Sequence, residues 1–185
     1  MFLAAYADES YDLPLGVYIL TASLVDLTEA ETIRDALHAL QAGAAKLHWS
    51  KEPPSRRSEF VKAIRSLACV STVVVGTGIP LHTERARRKC LEALLPEVEA
   101  SGITMLTAEA RQLRNNKLDQ QTVAVCRRKR IISDALHLDF VPGGAEPLLW
   151  LPDIVCGAVL AAHRGDGSYL EQLADSALQL HIDAR

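Results

Sequence analysis

The strongest constraint on the fold is a pair of apolar runs near the N-terminus, residues 2–7 and 16–25, with Asp8-Glu9-Ser10 at the end of the first. Runs of this length and composition read as buried strands. A buried strand that ends on two carboxylates needs partners for them, because an unpartnered buried carboxylate is expensive. Two readings answer that need. In one, Asp8 starts a turn with Ser10 and Asp12, residue types that favour turns. In the other, the strand delivers its carboxylates to a site such as a magnesium centre, which takes clustered oxygen ligands on a rigid element.

Downstream, the pattern alternates. A helix is expected from Asp26-Leu27-Thr28, with Thr28 and Glu31 as a capping box, apolar spacing at Ile33, Leu37 and Leu40, and a stop at Gly43. Pro53-Pro54-Ser55 opens a second helix with Phe60, Ile64 and Leu67 on one face. Residues 70–75 are β-branched and apolar and read as a central strand. Helices are expected over 83–99, 118–132 (capped near Asp119) and 152–163, with a short one over 169–174. Strands are expected over 103–107, at Leu136, Leu138 and Phe140, and at Leu178, Leu180 and Ile182. Paired strands followed by alternating strands and helices imply an α/β fold, a mixed sheet flanked by helices. The 185 residues fit a single domain, 1–185.

Composition narrows the function. With 49% apolar and 23% charged residues the chain has a globular profile. A formal net charge of −3 provides no global basic field, so a polyanion would have to be held by local patches. Cys69, Cys90, Cys126 and Cys156 form no CxxC pair and read as reduced core thiols rather than a zinc site. The N-terminus lacks the pattern of a signal peptide, and no run approaches the ~18 apolar residues that span a bilayer. The expectation is therefore a cytoplasmic protein with no membrane partner; an oligomer is left open.

Four segments set acids beside apolar elements: Asp8-Glu9, Glu109 after the strand over 103–107, Asp119 after the polar stretch 114–117, and Asp153. Asp153 stands alone between Glu146 and Arg164 in a run that is otherwise apolar or neutral. Pro152 suits a first helical turn, so Asp153 falls at a helix N-terminus whose dipole favours an anion. Gly157 shares its face and would let the helix approach a sheet closely. A helix-start acid kept for stability alone is the competing reading. In Lys46-Leu47-His48-Trp49-Ser50-Lys51-Glu52, His48 could orient a water or shuttle a proton, and Lys46 and Lys51 could neutralise a phosphate backbone. Trp49 is either a base-stacking surface or a core anchor. The basic runs at 85–89 and 127–130 read as solvated helix faces or as phosphate contacts.

Together, Tyr6-Ala7-Asp8-Glu9-Ser10, Lys46-Leu47-His48-Trp49, Glu109-Ala110-Arg111 with Asp119, and the segment 147–159 resemble the family catalogued as domain of unknown function 3800. The resemblance covers most of the chain. It implies a ribonuclease-H-like fold whose first strands are antiparallel, and a divalent-metal-dependent nuclease acting on DNA or RNA. It places Mg2+ or Mn2+ on Asp8, Glu109 and Asp153, with Glu9 and Asp119 as neighbours and His48 as an accessory catalytic group. Lys46, Lys51 and Arg111 would contact the nucleic acid. The chain departs from the family pattern at Tyr11, where Gly is common. The rival expectation is an inactive nucleic-acid-binding or protein-interaction module of the same fold. An enzyme acting on a small phosphorylated substrate, which would require a closed pocket, is a third.

Overall fold

A computed structural model of the protein describes residues 2–41 and 46–185. β1 (Leu3–Asp12) and β2 (Val17–Asp26) form a long antiparallel ribbon in which Asp8 lies opposite Thr21. β1 thus runs four residues beyond Asp8, and the expected end at Asp8 is corrected. Tyr11 stacks on its cross-strand partner Tyr18 at 5.6 Å, which extends the pairing through polar sequence. The turn comes later. Asp12 accepts the Leu15 amide, and Gly16 takes a positive φ of 68° that favours glycine. Asp8 is therefore a mid-strand residue, and the turn reading fails for it.

β3 (Cys69–Thr77) continues the sheet antiparallel to β2. β4 (Met105–Glu109) pairs parallel with β1, β5 (His137–Val141) parallel with β4, and β6 (Ala177–Asp183) parallel with β3. The order across the six strands is β5-β4-β1-β2-β3-β6. Side-chain alternation divides β1 between two cores: Ala4 and Tyr6 face one, Ala5 and Ala7 the other. α1 (Ala30–Leu40), α2 (Pro54–Arg65), α5 (Trp150–His163) and α6 (Ser168–Glu171) cover the Tyr6 face. α3 (Thr83–Ala100) and α4 (Leu113–Arg128) cover the other. The four cysteines are free, and three of them are buried.

Several boundaries differ from the sequence expectations. α1 starts at Ala30 after Glu29 with no side-chain cap, so the expected Thr28–Glu31 capping box is not formed; Asp26 instead accepts the Thr28 amide at 3.1 Å in the turn that precedes the helix. The expected stop at Gly43 lies outside the described residues. β4 ends on Glu109, so this acid belongs to the strand and does not follow it. α4 begins at Leu113, since Asn115 and Asn116 are drawn into bonds with Glu84 and the Arg111 amide and hold the polar stretch helical. It ends at Arg128, where Arg130 turns left-handed at φ 57°.

Candidate metal centre

The fold brings three acids to one end of the sheet. The β1–β4 pairing sets Ala7 opposite Ala108, and one step further sets Asp8 beside Glu109 on strands about 4.8 Å apart. Paired residues of parallel strands share a face, and this is the face that α5 covers. α5 is nearly buried throughout: from Trp150 to Leu160 only Asp153 keeps partial exposure. A helix apolar on all sides is a core element, and its one acid does not serve solubility. One turn beyond Asp153, the Cys156 thiol donates to the Asp8 carbonyl and to Thr21 Oγ1, fixing α5 over β1. Asp8, Glu109 and Asp153 line one open cleft together with Lys46 and His48.

The segment around Trp49 completes that wall. The Trp49 amide donates to Asp153 Oδ2 at 2.9 Å. Its indole lies against Gly157, leaving no room for a side chain there. Gly157 was expected to admit the sheet; it admits Trp49 instead. The ring also meets Tyr169 edge-on at 5.0 Å and carries the Arg57 guanidinium at 5.3 Å. Trp49 is a core anchor, and its indole is not free to stack on a base.

Electrostatics single out two of the acids. Asp8 is 8% exposed, and among the described residues its carboxylate accepts one hydrogen bond, from the Glu9 amide at 2.8 Å. Burial first, then the charge of Asp153, raise its carboxyl well above the usual range. Burial likewise pushes Asp153 up to about 6, against the Trp49 amide and the Lys46 charge. Among the described residues no Lys or Arg forms an ion pair with either. Glu109 differs: the Lys46 ammonium sits directly on it. Gly143, buried in the turn after β5, backs this pair so closely that a Cβ would lie 2.5 Å from Lys46 Nζ and 2.6 Å from the Glu109 carboxyl carbon. Lys46, expected to contact nucleic acid, forms its ion pair with Glu109.

The donor chemistry fits a hard divalent cation. Mg2+ is commonly held by one or two carboxylates, with waters and substrate phosphate completing the shell. Asp8 and Asp153 supply two such carboxylates. A set of three His, Cys, Asp or Glu side chains at ligand spacing is not formed among the described residues. His48 lines the same cleft, and burial together with the Lys46 and Lys51 charges lowers its pKa from 6.5. Lys51 is exposed beside it.

The other face of β1 carries a separate charge network. Glu9 turns away from Asp8, toward α3, where it meets Arg87 at 2.7 Å. Arg87, 2% exposed, also binds Asp119 at 3.0 Å. Arg111 joins Asp119 at 3.0 Å and Glu84 at 2.7 Å. Asp119, expected as a neighbour of the metal, is buried in this network and does not line the cleft, whereas Arg111, expected to contact nucleic acid, joins the network and also lines the cleft beside Asp8, Glu109 and Asp153. Arg87 was read within a solvated basic run. The signal that it is buried lay in its spacing with Cys90, Leu91 and Leu94, an apolar stripe on α3 that Arg87 heads.

Strand order and the antiparallel β1–β2 pair define a ribonuclease-H-like fold. The chain is similar to a chain in the structure of the PCNA:RNase HII complex from Archaeoglobus fulgidus, with a TM-score of 0.53 and 13% identity over 95% of this chain and 77% of that one. No protein-family model matches the chain, and no curated protein is significantly similar to it.

Proposed function

We propose that this protein is a divalent-metal-dependent nuclease that hydrolyses phosphodiester bonds of DNA or RNA at the cleft formed by Asp8, Glu109 and Asp153. The observation that carries this reading is the interacting pair Asp8 and Asp153, a buried and a half-buried acid that form no ion pair with a Lys or Arg among the described residues. Such an arrangement costs stability and is relieved by a bound cation. Mg2+ or Mn2+ held there would activate a water and stabilise the charge that develops on the phosphate. Asp8, on the rigid centre of the sheet, and Asp153, held by the Trp49 amide, orient that ion. His48 is neutral at pH 7 and is able to take the proton of an attacking water. Lys51, exposed at the rim, meets the phosphate backbone.

The open cleft suits a polymer backbone better than a small enclosed substrate. A fold neighbour whose name is that of a ribonuclease supports the same bond class. Membership in the domain of unknown function 3800 family is part of this proposal and rests on the motifs quoted above. The rival, a binding module of the same fold without turnover, draws on one observation: Glu109 is already neutralised by Lys46. Cleavage of labelled DNA and RNA with Mg2+ or Mn2+ separates the two, with Asp8→Asn and Asp153→Asn as controls. Cleavage that both substitutions leave unchanged would sink the assignment, and binding without cleavage by the native chain would establish the rival.

A further inference from the structure

We propose that Lys46 is the built-in second cation of this cleft: its ammonium neutralises Glu109, and Asp8 with Asp153 holds a single divalent ion. The inference rests on the metal-site reading above and specifies its stoichiometry. An ammonium is a compact point charge with three donors, and it satisfies a carboxylate much as a small ion does. Lys46 lies directly on Glu109, with its side chain 12% exposed. The pair is walled in from behind. The Trp150 indole donates to the Gly143 carbonyl at 2.8 Å and fixes the turn, and Gly143 leaves no room even for a methyl group against Lys46 and Glu109. Mg2+ gives up its waters reluctantly and needs far more space than a methyl group. No ion reaches Glu109 from the Gly143 side, and on the cleft side Lys46 already supplies its counter-charge. The nearby arginines are engaged by other acids: Arg87 by Glu9 and Asp119 on the far face of β1, and Arg111, which lines the same cleft, by Glu84 and Asp119. Lys46 is accordingly a positioning residue that sets how many ions the cleft takes.

Mn2+ binding, followed by calorimetry and by the loss of the free-ion electron paramagnetic resonance signal, reads this directly and requires no turnover. The expected result is one ion per chain for the native protein and for Lys46→Arg, and two for Lys46→Met. Combining Lys46→Met with Glu109→Gln should return the count to one, which assigns the extra ion to Glu109. Two ions on the native chain would overturn the inference, and so would a single ion on Lys46→Met. The native count stands as a test even where Lys46→Met fails to fold. Native protein that binds no Mn2+, or binding that Asp8→Asn leaves unchanged, would overturn the metal-site reading itself, a result distinct from a wrong count.

Discussion

Replacing Asp153 with Asn should stabilise the metal-free protein, and the size of the effect follows from the site. Asp153 has an ordinary pKa of 3.8 that rises to about 6 in the folded chain. That difference corresponds to about 3 kcal/mol, the free energy by which folding disfavours its ionised form. The sign follows from proton binding. Between the unfolded and folded pKa values the native state holds more protons, so stability is full below the lower value and falls as pH rises toward the upper one. Asn carries no charge at any pH and escapes the penalty. Its amide oxygen still accepts the Trp49 N–H, and the lost charge assistance needs no separate deduction, because that bond already lowers the folded pKa from which the penalty is worked. Asp8 relaxes at the same time, since the Asp153 charge is one cause of its raised pKa, and this adds in the same direction. The gain is about 3 kcal/mol near neutral pH, or roughly 6–12 °C in Tm for a chain of this size. Thermal unfolding in EDTA at several pH values is the assay, and the advantage of Asp153→Asn should shrink to nothing near pH 4. A variant no more stable than the native protein at neutral pH, or a gain independent of pH, would refute the argument. Saturating Mg2+ should reverse the order by stabilising the native protein alone.

Other expectations follow from neighbouring contacts. Gly157→Ala drives a methyl group into the Trp49 indole and should cost about 1–3 kcal/mol in chemical denaturation. Arg87→Met leaves Glu9 and Asp119 with Arg111 as their remaining cation and should cost about 3 kcal/mol or more, with urea midpoints as the measure. An unchanged midpoint would show that the buried network adds nothing. His48→Ala should slow phosphodiester cleavage about 100-fold, and native cleavage should fall at acid pH as His48 becomes protonated. A pH–rate profile identical in the native protein and His48→Ala would remove His48 from the chemistry.

The sheet could be read from the chain because its strands carry strong local signals: β-branched runs in β2 and β3, and glycine or proline at the breaks. Asp8 was visible as an acid inside apolar sequence, and Asp153 as the lone charge in an apolar helix. The role of Lys46 was not visible, because its contact with Glu109 joins residues 63 positions apart and depends on how closely Gly143 backs the pair. The bond of Arg111 to Asp119 was hidden for a related reason. An arginine two residues after a candidate ligand looks like a phosphate contact, and only the start of α4 at Leu113 brings Asp119 within its reach. Propensity placed that start five residues late, since the polar side chains of Asn115 and Asn116 look like a loop until Glu84 and the Arg111 amide give them partners.

The two faces of β1 supply an internal control for the functional argument. Asp8 and Glu9 are adjacent in sequence, enter the same strand, and point into opposite layers. Glu9 meets a buried arginine that also serves Asp119, with a second arginine alongside, so this layer balances its acids with its own cations. That is how the chain treats a carboxylate whose purpose is structural. Asp8 receives a backbone amide and feels the charge of the half-buried Asp153, with Lys46 of the same cleft already committed to Glu109. The same strand therefore offers both solutions within two residues and withholds the stabilising one from Asp8. A structural role would be served by an arginine on α5 where Asp153 stands, and a charge left unbalanced at an open cleft is accounted for by a cation arriving from solution.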